Sequence, residues 1–99
     1  NDNFGRWRSD LTAVVDRCRE PGCKGREPAE LLRPGPDDYF VLKPKHSAFF
    51  STTLDTLLRY LGTRTLVVGG FAADICVLFT ANDAYMRDLR LVVPADGVA

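Results

Sequence analysis

The sequence predicts an α/β fold in which a parallel sheet is covered by helices on its faces. Three observations carry this. Residues 66–68 (LVV) and 91–93 (LVV) are short β-branched apolar runs without polar alternation, as suits strands hidden on both faces. Before and between them lie segments whose apolar residues recur at helical spacing. Strands that alternate with helices pair in parallel through right-handed crossovers.

In chain order, residues 1–7 (NDNFGRW) are turn-like and read as the tail of a strand. From Ser9, SDLTAVVDRCRE sets Leu11, Val14, Val15 and Cys18 on one helical face, with Ser9 or Asp10 as cap. Pro21 and Gly22 stop that helix. Residues 21–38 hold four prolines and three glycines, which predicts an irregular surface connection with one turn around residues 30–32. Residues 39–42 (YFVL) read as a strand closed by Lys43 and Pro44, since proline cannot donate to a central ladder. After Phe49 and Phe50, the helix TLDTLLRYLG carries Leu54, Leu57, Leu58 and Leu61 on one face. Thr52 and Asp55 read as its capping pair, and Gly62 as its stop. The strand at residues 66–68 ends at Gly69 and Gly70. A helix then opens at Asp74 as cap, with Ile75, Leu78, Phe79, Tyr85 and Met86 following and Asp83 and Arg87 paired on its wet side. Pro94 ends the last run.

With 99 residues the chain reads as one domain at most. Lysine plus arginine equals aspartate plus glutamate at 13 each, so neither nucleic acid nor an anionic membrane is indicated as a partner. No apolar run approaches the ~20 residues that span a bilayer, and no charged leader precedes an apolar segment, so the expectation is a soluble cytoplasmic protein. Three cysteines fit a reducing compartment better than a disulfide scaffold. Cys18 and Cys23 lie close together, but His46 is the single histidine and two further zinc ligands are missing. They read as incidental thiols of a surface loop, with no metal and no cofactor.

In open parallel sheets ligands bind beyond the carboxyl ends of the strands. Lys43, the loop from Gly70 to Cys76, and residues 1–7 all fall on that rim. Cys76 lies near the start of its helix, where unpaired N–H groups and the helix dipole favour a thiolate and can hold an oxyanion. The plainer readings are a small buried core cysteine for Cys76 and a solvated strand-end lysine for Lys43. His46 invites a reading as a base, but KPKHSAF reads as loop, which favours a surface histidine. Trp7, Phe49 and Phe50 read equally as pocket lining or as core aromatics.

The strings FVLKPKHSAFFSTTLDTLLRYL and TLVVGGFAADICVLFTANDAYMRDLRLVVPADGVA, with NDNFGRW before them, resemble the isochorismatase-like cysteine hydrolases, a group that includes nicotinamidases and N-carbamoyl amidohydrolases. The resemblance implies a three-layer αβα fold with a parallel, Rossmann-like sheet, here incomplete at both ends, so that residues 1–99 form a single partial domain. It further implies a cysteine, lysine and aspartate triad, with Cys76 as nucleophile and Lys43 as the lysine. A cis peptide joining Ala72 and Ala73 is implied too, with backbone N–H groups there and at Cys76 forming the oxyanion hole. Ala73 stands where the family usually has threonine. The family's aspartate belongs to a strand this chain does not contain, and Asp2, though on the same rim, belongs to a different strand.

The chemistry implied is hydrolysis of an amide-type C–N bond of a small molecule through a cysteine thioester. Separately, the apolar helix face with Tyr85 and Met86 reads as an exposed subunit contact, so a homo-oligomer is expected. Relatives that cleave the vinyl ether of isochorismate can lack the cysteine, so Cys76 favours C–N cleavage over that alternative. The Asp/His/His metal site of nicotinamidases has no counterpart here. Two rivals are a non-catalytic pseudoenzyme with an assembly role, and a flavodoxin-like binding module. The second predicts a phosphate-cradling turn, whereas Gly69 and Gly70 are followed by FAADIC.

Overall fold

The computed structural model describes residues 16–99. Val41–Ala99 forms one compact unit, and the described residues up to Phe40 form another. The strand tail at residues 1–7, with Trp7, lies outside the described residues, as does most of the helix expected from Ser9.

In the smaller unit residues 16–18 are helical. The N–H groups of Arg19 and Glu20 close that turn on the carbonyls of Asp16 and Arg17, at 3.0 and 3.2 Å. The single turn expected around residues 30–32 is instead a helix, α1 (Arg26–Leu31), stapled by Arg26 and Glu30 at 3.0 Å. Pro28 does not prevent it, because the N–H that proline lacks has no intrahelical partner in a first turn.

Residues 39–42 form no strand. They have no ladder partner among the described residues, and Tyr39, Phe40 and Leu42 are exposed. A β-branched run becomes a strand only where a neighbour takes up its N–H and C=O groups.

Helix α2 (Leu54–Tyr60) follows. Its capping pair differs from the expected one: Thr53 is the cap residue, and the Thr52 hydroxyl accepts the Leu54 N–H at 3.3 Å while donating to the Ala48 carbonyl. Asp55 faces outward to Arg59 and Arg87, at 3.0 and 3.4 Å. The helix does stop at Gly62. There φ is +64°, Gly62 N–H donates to the Arg59 carbonyl at 3.1 Å, and Thr63 N–H reaches back to Leu58 at 2.9 Å. Those two bonds form a Schellman motif, whose left-handed residue is most often glycine.

Strands β1 (Thr65–Val67) and β2 (Arg90–Val92) pair in parallel, with Leu66 opposite Leu91 and Val67 opposite Val92. Between them run a π-helical turn (Ala73–Val77) and helix α3 (Leu78–Tyr85). Beyond the ladder, Gly70 bridges Val98, again in parallel. This is an α/β unit with a small parallel sheet. Among the described residues its two strands replace the three expected, and the core covers one face of the pair. Leu66 and Leu91 pack against buried Phe49, Leu58 and Ala84, joined by Leu54 and Leu89. Val67 and Val92 point the other way and are exposed.

On the cysteine helix Tyr85 and Met86 are exposed, as expected of an apolar face turned outward. Val77 and Ala84 are buried, whereas Ile75, Leu78, Phe79, Tyr85 and Met86 are all exposed. The π-turn, in which Val77 N–H bonds the Ala72 carbonyl five residues back at 3.2 Å, turns Ile75 relative to the helix that follows, and Val77 and Ala84, seven residues apart, share the buried face. Small Ala84 seats α3 against Phe49 and Leu58.

Candidate active site

Two segments meet beyond the carboxyl end of β1. One is residues 43–49, held to α3 by the Ala48 N–H, which donates to the Thr80 hydroxyl at 3.0 Å. Buried Ser47 shapes it from within, its hydroxyl accepting the Phe49 N–H at 3.1 Å. The other is the turn from Gly69 into the π-helix. Gly69 carries no side chain for a packing reason, since a Cβ there would lie 2.8 Å from the Gly97 carbonyl oxygen. The Gly70 N–H donates to that same oxygen at 2.9 Å, and Ala73 N–H donates to the Ala99 carbonyl at 2.7 Å. Residues 97–99 thus prop the turn from below.

Cys76 is the fourth residue of the π-turn, half-buried. Asp74 lies in the first turn but makes no side-chain cap, contrary to expectation; Ala72, extended at φ −85° and ψ 144°, occupies the cap position. The ammonium of Lys43 lies 3.4 Å from the Cys76 sulfur and also donates to the Lys45 carbonyl at 3.2 Å. Together they border a cleft of about 220 Å³, lined further by Ala48, Val77, Thr80 and residues 68–71.

The cis peptide joins Phe71 to Ala72, one bond earlier than expected. The Ala72–Ala73 unit is already the first helical peptide, because the Ala72 carbonyl accepts the Ile75 and Val77 N–H groups at 3.2 Å each. A peptide unit in a helical ladder has to be trans.

The three pocket aromatics fare differently. Phe49 is a core residue under the Arg87 guanidinium, which sits 4.5 Å from its ring centre. Phe50 does not line the cleft, and Trp7 lies outside the described residues. Phe71, exposed on the cis-peptide turn, lines the cleft and was not singled out by the sequence. His46, read as a surface histidine, is half-buried. Its Nδ1 lies 4.0 Å from the Cys76 sulfur, and its ring leans on Phe79 with centroids 5.7 Å apart. A lone histidine in a loop has no periodicity, so only its third place after Lys43 could have drawn attention to it. Among the described residues no three histidine, cysteine or acidic side chains converge as metal ligands, and no helix is long and apolar enough to cross a membrane.

A thiol beside an ammonium and open to a cleft has a cation at hand to compensate the charge of a thiolate. The isochorismatase domain matches residues 1–99. The chain belongs to the isochorismatase family. Over all 99 residues it is 42% identical to the isochorismatase family protein YaaI of Bacillus subtilis, covering 54% of that protein. It is 43% identical over 67 residues to the ureidoacrylate amidohydrolase RutB of Methylorubrum extorquens, covering 68% of this chain and 27% of RutB. The crystal structure of N-carbamoylsarcosine amidase from Thermoplasma acidophilum superposes with a TM-score of 0.66 at 46% identity, over 68% of this chain and 39% of the amidase. The chain spans about half, or less, of the relatives it matches.

Proposed function

We propose that the protein hydrolyses an amide-type C–N bond of a small molecule through a thioester on Cys76. The observation that carries this reading is the 3.4 Å approach of the Lys43 ammonium to the Cys76 sulfur at the edge of the cleft. The names of two relatives, an amidohydrolase and an amidase, support the same class.

In the proposed reaction the Cys76 sulfur attacks the substrate carbonyl carbon, and the displaced electron pair moves to its oxygen. As that oxyanion collapses, the C–N bond breaks and the nitrogen leaves, protonated, as ammonia or an amine. Water then attacks the thioester carbonyl, the C–S bond breaks, and the carboxylic acid departs with the thiol restored. Lys43 holds the charge balance at the sulfur. The backbone N–H groups of Ala72 and Cys76 are the oxyanion donors in this scheme, Ala73 being committed to the Ala99 carbonyl. The aspartate that relays protons lies outside this chain. These residues are then an internal portion of one three-layer αβα hydrolase domain, whose further strands extend the β1–β2 pair and whose further helices cover Val67 and Val92.

The test is to incubate the intact protein with a panel of small primary amides and N-carbamoyl compounds while recording ammonia release and the intact mass. Turnover is expected, with a transient acyl adduct that maps to Cys76 and vanishes in Cys76→Ser. Turnover that survives Cys76→Ser, or cleavage of an enol ether but of no amide, overturns the thioester reading.

A further inference from the structure

We propose that His46 is a positioning residue for Cys76, donating from Nδ1–H to the sulfur and holding it toward the cleft. The inference rests on the nucleophilic reading of Cys76 given above.

Several observations place the imidazole. His46 Nδ1 lies 4.0 Å from the sulfur, at the outer edge of N–H···S contact, while Lys43 Nζ lies 3.4 Å from the same atom. The residues between those two nitrogens are pinned at both ends. Lys43 bonds the Lys45 carbonyl, and Ala48 N–H bonds Thr80 one turn beyond Cys76. The ring has a backstop in Phe79, three residues after Cys76, with an interplanar angle of 31°. Flanked by that ring and by buried Ser47, the imidazole is held with its δ edge toward the sulfur.

The geometry divides the work between two donors of different kind. Lys43 is a compact charge on a flexible stem and neutralises the thiolate without fixing its direction. A planar N–H donor on a packed ring fixes direction, and fixed direction is what a near-attack arrangement of sulfur and carbonyl requires. The other ionisable groups on these two elements, among the described residues, are Lys45, Asp74, Asp83 and Tyr85, with Arg87 and Asp88 just beyond α3. Asp83 and Arg87 bond each other at 3.3 Å, two turns from the sulfur.

The contact runs through the δ nitrogen, and this makes the inference testable. Asparagine places an amide N–H near the position of Nδ1, whereas phenylalanine preserves the stacking on Phe79 and offers no donor. In the intact protein, the alkylation rate of Cys76 by iodoacetamide is measured against pH by mass spectrometry for wild type, His46→Phe and His46→Asn. The acid limb of the His46→Phe profile is expected to move to higher pH by about one unit, a rate on that limb about tenfold lower, as for one lost hydrogen bond to a charged group. His46→Asn is expected to stay within about twofold of wild type, since the donor is kept. A His46→Phe profile superimposed on wild type, with Cys76 still the fastest thiol, overturns the role of His46 and leaves the hydrolase reading intact. A wild-type Cys76 no faster than Cys18 and Cys23 overturns both.

Discussion

At the residue scale, the chemistry of the cleft depends on which groups approach the Cys76 sulfur, and Lys43 is the nearest charged one described. Replacing it with methionine keeps the length and the apolar stem but removes the ammonium. The expected outcome for Lys43→Met is a fall in kcat/KM of about a hundredfold or more, the usual scale for loss of one preorganised electrostatic group, with an unchanged melting temperature. Steady-state kinetics beside a thermal melt checks this; a loss of less than about threefold would leave Lys43 a solvated bystander. Gly69 offers a second test, since the Cβ of Gly69→Ala meets a backbone carbonyl that no rotamer change can move. Destabilisation by about 1–3 kcal/mol in urea titration is expected, with slower Cys76 alkylation because the turn leading to it has shifted. That Cys76 and Lys43 share one rim was legible, because each follows an apolar run that ends there, and the two lie 3.4 Å apart. His46 was not legible, because its placement depends on Phe79 and on the Ala48–Thr80 bond, contacts 32 or more residues apart in sequence.

At the element scale, local signals read well where they are self-contained and poorly where a neighbour decides. The stop of α2 at Gly62 is a matter of one left-handed residue and two backbone bonds, and the sequence carries all of it. The inward face of α3 is different. Leu78, Phe79, Tyr85 and Met86 share one face at helical spacing, but that face is exposed, and the buried one is carried by Val77 and Ala84. Sequence periodicity also favours large apolar residues as core, whereas the close seat against Phe49 and Leu58 admits only Ala84. Two expectations follow from this packing. Ala84→Leu puts three extra carbons into a site with no exposure and should destabilise by about 1–3 kcal/mol or more, while Met86→Leu on the exposed face should change stability by less than about 0.5 kcal/mol. Equal effects of the two in denaturant titration would mean that α3 packs by the face its sequence periodicity indicates. The strand expected at residues 39–42 failed for a related reason: β propensity describes a surface that fits a sheet, and the neighbour must still be there.

At the scale of the whole molecule, a parallel pair of strands with one covered face is an unusual thing to leave in water. All-parallel sheets occur almost only with both faces covered, and an open strand edge is a template for pairing with another chain. Here Val67 is 71% exposed on the uncovered face of β1, and Phe71 is 82% exposed just beyond it. Among the described residues four hydrophobic side chains are buried, Phe49, Leu58, Val77 and Ala84, and none of them lies on that face. Each fully buried side chain of this kind contributes about 1.5–3 kcal/mol, against about 1–2 kcal/mol of backbone entropy for every residue that is ordered. A polypeptide of these 99 residues alone is therefore expected to melt without a sharp cooperative transition and to bind a hydrophobic dye strongly. A longer chain that supplies the covering layer proposed above should melt cooperatively, with the amides of Val68 and Gly70, which bond the carbonyls of Val92 and Gly97, among the slowest to exchange. Calorimetry and amide hydrogen exchange on the two polypeptides make the comparison. A sharp two-state melt of the 99-residue polypeptide as a monomer would show that its one-sided sheet is sufficient, and that no further layer is needed to explain the exposed valines.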